Sequence, residues 1–433
     1  MKKLIISLFI IVSSVLSAQS DRYLILITID GFRPEFYRDQ YFPAPTLQWL
    51  AKEGASADEV KTIFPSVTYP SHTTIVTGVL PAKHGIYYNT KFDENGQMSG
   101  WVYDSKEIKA TTIWETLKGK GLTTASVSWP ITVGNKFIDY NIPEIWSFEN
   151  GEDRISASRE YSTPAGLFDE AMQNATGHMQ IPEFNLSSMV MDQNLSRLSG
   201  FIFTKYRPNF MTLHLPIVDG AQHLEGREGD KVRMAVANAD SAIGFLLETV
   251  RRSGLSEKTD VIITGDHGFV TRKFSVSPNV WLKRNNLYDK AYFVSTGGSV
   301  FLYLRNPKDR STLAKVKDML AKLPAEERKT FTIIEGKKLT DAMVDPVVSL
   351  ALTAADGYAF SAAADGDVIK KSEGGTHGYY PDFHNIYTGF IGYGPSFKKG
   401  AKAENLSLTD FYDLVQDIFF GTQKVKNDFI IRK

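Results

Sequence analysis

The chain has 433 residues, 42% hydrophobic and 23% charged, with 49 Lys+Arg against 49 Asp+Glu and no cysteine. Such a length holds one large α/β domain or two smaller ones, and the charge balance excludes a global field that would recruit nucleic acid or an anionic membrane. Without cysteine there are no disulfides, thiolate ligands or lipid-modified cysteines, so any metal must be held by oxygen and nitrogen.

Lys2 and Lys3 precede an apolar stretch from Leu4 to Leu16 and then the small-residue run Ser17-Ala18-Gln19. This is the pattern of an export signal cleaved near Ala18, since the apolar stretch falls short of the ~20 residues a spanning helix needs. The expectation is a signal peptide over 1–18 and one catalytic domain over 19–433, exported to a bacterial periplasm or secreted, with no transmembrane anchor after cleavage. Strand-like and helix-like patterns then alternate, which predicts an α/β fold with a mostly parallel central sheet sandwiched by helices. Tyr23–Ile29 reads as a strand closed by Asp30. Helices are predicted over Thr46–Glu53, stopped by Gly54, and over Thr111–Lys118, leading into a strand at Leu122–Trp129. From about Pro143 to Arg207 the period degrades into polar, Met- and Asn-containing segments, read as an inserted cap region that shapes a substrate pocket. The apolar run Phe210–Val218 is closed by Asp219. Asp230–Ser253 is the clearest helix, apolar at Val232, Val236, Ala239, Ile243, Leu246 and Val250, with Asp230 placed to cap it. Val261–Gly265 is closed by Asp266; a helix over Leu313–Leu323, a strand over Thr330–Ile334 and a helix over Ser407–Phe420, stopped by Gly421, complete the order.

A carboxylate at the C-terminal end of a buried strand sits where open α/β sheets bind ligands. Three of them, Asp30, Asp219 and Asp266, travel here with His223, His267 and the glycine-flanked His377, three of the eight histidines. Each motif alone also reads as a helix cap or a turn; together they describe a two-metal site, and mixed His/Asp ligation suits zinc better than manganese or iron. Asp219 and His223 share a face if their segment is helical, and converge as well from a loop. Asp266 and His267, being adjacent, meet one metal only around a bend, which Gly268 permits. Ser66, Thr68, Ser71 and Thr73 lie where a proline-punctuated loop enters an apolar helix. A hydroxyl at a helix N-terminus can attack phosphorus and hold a phosphoryl group on backbone N–H groups. All four equally suit capping, and spacing does not choose among them.

Phe64-Pro-Ser-Val-Thr68-Tyr-Pro-Ser-His-Thr-Thr-Ile-Val-Thr-Gly78, followed by Pro81-Ala-Lys-His84-Gly85-Ile, resembles the nucleophile segment of the nucleotide pyrophosphatase/phosphodiesterase family of the alkaline phosphatase superfamily. The resemblance extends through Ile29-Asp30-Gly31-Phe-Arg33, Val218-Asp219…His223, Thr264-Gly-Asp266-His267-Gly268 and Gly375-Thr-His377-Gly378, in the family's order. It implies an alkaline phosphatase-like fold and Thr68 as nucleophile, forming a phospho-threonine intermediate. It also implies two Zn2+, one on Asp219, His223 and His377, the other on Asp30, Asp266 and His267 with the Thr68 oxygen. Asn89 matches the asparagine whose amide steadies a phosphoryl oxygen. Tyr69 and Tyr87 match positions flanking the base or leaving-group pocket, and Trp146 or Phe148 either supplies the opposite face or fills the core. His72 and His84 match no ligand position and read as structural, while His384 is a decoy for His377.

Threonine-dependent monoesterases of the superfamily carry a Lys-x-Arg pair after a Ser-Val-Ser strand, and here Pro130 and Thr132 stand where those cations would fall. A dianion is thereby less well served than a diester or phosphoanhydride. Phosphomonoester hydrolysis on the same site is the alternative. The family spans nucleotide and choline-phosphodiester substrates, and Ser71 and Ile131-Thr132 depart from the nucleotide-cleaving pattern. The expected partner is thus a small phosphodiester or nucleotide, with no nucleic-acid binding; a catalytically silent binding protein is opposed by the complete ligand set.

Overall fold

The computed structural model describes residues 21–93, 98–425 and 428–431, and the expected signal peptide lies outside them. Its centre is a sheet of Tyr23–Ile29 (β1), Ala55–Ala57 (β2), Thr124–Val127 (β3), Tyr140–Ile142 (β4), Phe210–Leu215 (β5), Thr259–Thr264 (β6), Phe390–Tyr393 (β7) and Lys402–Ala403 (β8). The spatial order is β8-β2-β7-β6-β1-β5-β3-β4. Strands β6, β1, β5, β3 and β4 run parallel, and β7 pairs antiparallel with β6. Every residue of β1 is buried because both faces are covered, which is why its sequence shows no polar alternation. Ile25, Ile27 and Ile29 face one core and Leu24 and Leu26 the other.

The first core is closed by Pro45–Glu53 (α1), Leu167–Ala175 (α5), and the long helices Met191–Tyr206 (α6) and Asp230–Arg252 (α8). The second lies under Thr68–Thr77 (α2), Ile113–Lys118 (α3) and Phe411–Phe420 (α9). Arg154–Tyr161 (α4) and Ile217–Glu225 (α7) add Ile155, Ile217, Val218 and Ala221 to the first core. Thr112 caps α3 by accepting from Glu115 N–H, and Gly421 ends α9 with a left-handed φ of 64°. Asp230 does not cap α8: Gly229 occupies that position, and the carboxylate of Glu225 accepts the Lys231 N–H at 2.8 Å instead.

The segment read as a degraded insertion is largely helical. Met191, Leu195, Leu198, Ile202 and Phe203 of α6 belong to the main core. Its period is masked because buried polar residues sit among them: Asn194 Nδ2 donates to Glu183 O at 3.0 Å, Ser196 Oγ to Ala242 O at 2.6 Å and Ser199 Oγ to Leu195 O at 2.8 Å. Satisfied in this way, they are tolerated inside. A further feature is absent from the sequence reading. Ala291–Ser295, Ser299–Leu304, Leu350–Ala354 and Phe331–Ile334 form a separate four-stranded antiparallel sheet, with a core of its own around Trp281, Phe293, Leu302, Val316 and Leu352. The helix expected over 313–323 is Arg310–Ala321, capped by Asp309, on this lobe. Among the described residues no helix is long and apolar enough to cross a membrane.

Candidate metal centre and nucleophile

Strands β6, β1 and β5 are neighbours, so whatever follows their C-terminal ends is brought together. Asp30 follows β1 directly and its N–H bonds Leu215 O at 2.9 Å. Asp266 comes two residues after β6. Asp219 is displaced from the strand end: β5 stops at Leu215, and Asp219 stands in the first turn of α7. The helical alternative therefore holds for Asp219 and His223, whose Oδ2 and Nε2 lie 3.4 Å apart. His377 joins from the lobe side, its Nε2 3.6 Å from Asp219 Oδ1. His267 Nε2 is 3.1 Å from Asp266 Oδ2 and 3.4 Å from Asp30 Oδ1. Asp219, His223 and His377 form one set of donor atoms all within 4.8 Å of one another, and Asp30, Asp219 and His267 form a second. The six side chains converge, with Asp219 within reach of both positions.

How the imidazoles are held is informative. Nδ1 of His223, His267 and His377 lies 3.1, 3.1 and 3.0 Å from the carbonyl oxygens of Gly375, Gly268 and Ser66. An Nδ1–H donated to each carbonyl fixes the tautomer and turns the Nε2 lone pair inward, the usual support of a metal-ligating histidine. Facing them, the buried atoms Asp30 Oδ1, Asp219 Oδ1, Asp266 Oδ2 and His267 Nε2 have no hydrogen-bond partner. One orphaned buried polar group costs about 1–3 kcal/mol; four converging on one space call for a cation. Burial, then the charges of Asp266 and Asp219, push the Asp30 carboxyl well up, and burial raises Asp219. Burial works the same way on Asp266, yet His267, with His72 and His214, holds it below the usual carboxylate range. Carboxylates too crowded to ionise together, with imidazole nitrogen and no sulfur, make a donor set that fits zinc.

Gly268 matters differently from expectation. A Cβ there would lie 2.3 Å from Asn385 O and 2.6 Å from Tyr387 O, so the requirement is close backbone approach. The bend itself is tied by Asp266 Oδ1, which accepts the N–H groups of Gly31 and His267, each at 3.0 Å.

Among the four hydroxyls the geometry discriminates. Ser66 Oγ donates to Tyr379 O at 3.0 Å and Thr73 Oγ1 to Tyr69 O at 2.8 Å, while Ser71 is wholly buried. Thr68 is the first residue of α2, preceded by extended Val67. It lines a cleft of about 510 Å³ together with Asp30, Asn89, Asp219, His223 and His377. Asn89 Oδ1 accepts the Tyr69 N–H at 2.8 Å, which leaves its NH2 group as the donor for the cleft.

The remaining candidates divide. Tyr69 is in the cleft wall with its ring buried and its hydroxyl donating to Glu144 Oε1 at 3.0 Å. Trp146 is half-buried and both packs and lines: it meets Trp101 and Tyr103 edge-on at 4.8 and 5.2 Å and borders the cleft. Tyr87 is not brought to this cleft; it borders a different cavity with Tyr88, Tyr292, Tyr303 and Asp345, where the antiparallel lobe meets its loop. Phe148 is 73% exposed and so is not core. His72 supports the turn that carries Thr68, its Nδ1 2.8 Å from Thr68 O and its Nε2 2.9 Å from Thr28 Oγ1. His84 bonds Thr74 inside the fold, and His384 is on the surface against Glu59. Sequence reasoning missed Trp101, Glu144, Arg154 and His214. His214 Nε2 stands 3.4 Å from Asp30 Oδ2 and 3.5 Å from Glu144 Oε2; its signal was a lone histidine inside an apolar strand.

Sheet and site together define an alkaline phosphatase-like α/β protein. Residues 24–380 match the family model of type I phosphodiesterase / nucleotide pyrophosphatase, and the chain belongs to that family. It is 25% identical over 430 residues to human ectonucleotide pyrophosphatase/phosphodiesterase family member 1, covering 93% of this chain and 40% of the relative. It is 25% identical over 407 residues to the venom phosphodiesterase of Naja atra, covering 91% of this chain and 44% of the relative. The chain thus spans well under half the length of these relatives. Among solved structures, an inactive threonine-to-alanine form of murine ectonucleotide pyrophosphatase/phosphodiesterase 5 in complex with AMP superposes with a TM-score of 0.66 at 22% identity, covering 92% of this chain and 95% of that one. The human protein 5 gives 0.67 at 21%, with the same coverage.

Proposed function

We propose that the protein hydrolyses phosphodiester or phosphoanhydride bonds of small molecules, nucleotides foremost, through a phospho-Thr68 intermediate. The observation that carries this is the convergence of six ligand side chains, with orphaned donor atoms, on the cleft that presents Thr68. Asp219, His223 and His377 would hold one Zn2+, and Asp30, Asp266 and His267 the other, with the Thr68 oxygen at the second. Two such cations, when bound, would lower the pKa of the Thr68 hydroxyl and neutralise charge on the oxygens around phosphorus. Thr68 Oγ1 attacks phosphorus in line, the bond to the leaving oxygen breaks, and that oxygen is protonated. Water then cleaves the phospho-Thr68 ester and returns the proton to threonine. Two in-line displacements predict net retention at phosphorus. The Asn89 amide donates to a non-bridging oxygen, a contact worth about 3 kcal/mol in comparable oxyanion sites. The N–H groups opening α2 favour the same negative charge. That the murine relative bound to AMP is an inactive threonine-to-alanine form supports both the nucleophile and a nucleotide-like substrate.

Diester cleavage is favoured over monoester cleavage because Pro130 and Thr132 stand where the monoesterase cations would fall, and the cation that does line the cleft, Arg154, is held against the face of Trp146. Export through the 1–18 leader and a capping role for the 143–207 region belong to the same reading. Rates on bis(p-nitrophenyl) phosphate, thymidine monophosphate p-nitrophenyl ester and p-nitrophenyl phosphate test it: the first two should be cleaved faster, and a clear preference for the last would make the enzyme a phosphomonoesterase. Thr68→Ala should abolish turnover with metal retained; undiminished turnover removes Thr68 as nucleophile.

A further inference from the structure

Arg154 stands in the wall of the cleft that holds Thr68, Asp30 and His377, yet no step of the hydrolysis calls on it. The residue is 4% exposed. Among the described residues its guanidinium has neither hydrogen bond nor ion pair, and its close partner is the face of Trp146, 4.7 Å from the ring centroid. The nearby acids do not pair with it: Glu152 borders the same cleft without an ion pair to it, and Glu144 keeps its Oε2 without a hydrogen-bond partner. Asp153 caps α4, accepting from Ser156 N and Oγ at 2.9 and 2.5 Å. Glu144 accepts the Tyr69 hydroxyl at 3.0 Å and faces His214 Nε2 at 3.5 Å. Among the residues lining the cleft, Arg154 is the one lysine or arginine.

A nearly buried guanidinium with no bonded carboxylate leaves its N–H groups unsatisfied, which is unfavourable; in a ligand cleft it is poised for an anion that arrives with the ligand. Stacking on Trp146, itself fixed edge-on by Trp101 and Tyr103, orients the guanidinium plane. A plane held in this way offers its N–H edge for two-point bonding to a carboxylate or phosphate. We propose that Arg154 is a specificity-determining residue that binds a second anionic group of the substrate, a phosphate or carboxylate outside the scissile phosphoryl group. The inference rests on the phosphodiesterase reading and narrows its substrates to diesters or anhydrides bearing such a group.

The test uses butyl, ω-carboxybutyl and ω-phosphobutyl p-nitrophenyl phosphates, which share the scissile bond and leaving group. The parent enzyme should prefer an anionic ester over the butyl ester by about tenfold to a hundredfold in kcat/KM, the range of a charge-assisted hydrogen bond. Which ester is preferred identifies phosphate or carboxylate. Arg154→Met should lose the preference, chiefly through KM, and Arg154→Lys should recover part of it. Absence of preference in the parent, or its persistence in Arg154→Met, overturns the inference. So does a loss in Arg154→Met confined to p-nitrophenyl phosphate, which would move the guanidinium to the scissile phosphoryl. If the parent cleaves none of the esters, the phosphodiesterase reading falls and this inference with it; if it cleaves the butyl ester without discrimination, only the role of Arg154 falls.

Discussion

His267 meets Asp30 and Asp266 within 3.4 and 3.1 Å and has its Nδ1 anchored on a backbone carbonyl. Its loss should therefore empty one metal position without unfolding the other. His267→Ala is expected to hold one zinc per chain in place of two by elemental analysis, with nearly all turnover gone; an unchanged metal content refutes the assignment. A residue outside the site carries a pH signature. Asp192, at the start of α6, is fully buried, and burial lifts its carboxyl from the usual carboxylate range to about 8, with the Ile217 N–H working the other way. The folded state keeps a proton that the unfolded chain has released. Stability from this group is complete below its unfolded pKa and is lost as pH rises toward 8, at up to about 1.4 kcal/mol per pH unit. Asp192→Asn cannot titrate, so its Tm advantage over the parent should widen between about pH 5 and pH 8 and level off above. A constant difference across that range would show that Asp192 is ionised in the fold.

At the scale of elements, the ligands are carried by short, tightly enclosed pieces of backbone, and their glycines are the weak points. Gly268 sits 2.3 Å, by its absent Cβ, from Asn385 O, a backbone atom that cannot swing aside. Gly268→Ala is expected to cost about 2–4 kcal/mol, as overpacking against fixed atoms does, and to move His267. A fall in Tm accompanied by loss of one zinc would be observed; a variant with parental Tm and full metal content would show that the loop has room. α7 makes the complementary point. Its helical turn places Asp219 and His223 on one face, a consequence of the i,i+4 spacing that sequence alone left open between helix and loop. Trp101 and Glu144 had no comparable local signal, because their position at the cleft depends on where separate loops return to the sheet.

For the molecule as a whole, the ends of two parallel strands, the first turn of α7, the α2 turn and the segment that delivers His377 meet at the converging donor atoms. Metal bound only by the folded state stabilises it by mass action. Removing metal with a chelator should therefore lower Tm and abolish turnover together. Zinc should restore both better than magnesium, which demands oxygen ligands and retains its water. Equal rescue by magnesium would argue against the histidine-rich ligand set. The scale also separates what was legible. The candidate ligand residues and Thr68 could be named from sequence because each lies in a short motif whose chemistry is local. Tyr87 borders another cavity because its loop meets a segment more than 200 residues away, as in the 2.8 Å bond between the hydroxyls of Tyr88 and Tyr303. The antiparallel lobe was unforeseen because its pairing joins strands up to about 50 residues apart across intervening helices.

By itself the sequence determined the alternation of strands and helices, the three aspartates that close buried strands or follow them, and the histidines that accompany them. These are consequences of period, burial and local turn chemistry. Only the tertiary structure decided that Thr68 rather than Ser66, Ser71 or Thr73 faces the cleft, that Asp219 belongs to both sets of converging donor atoms, and that Arg154 stands unpaired in the cleft wall. Orientation and company in space follow from how distant elements pack, and no local pattern of residues encodes them.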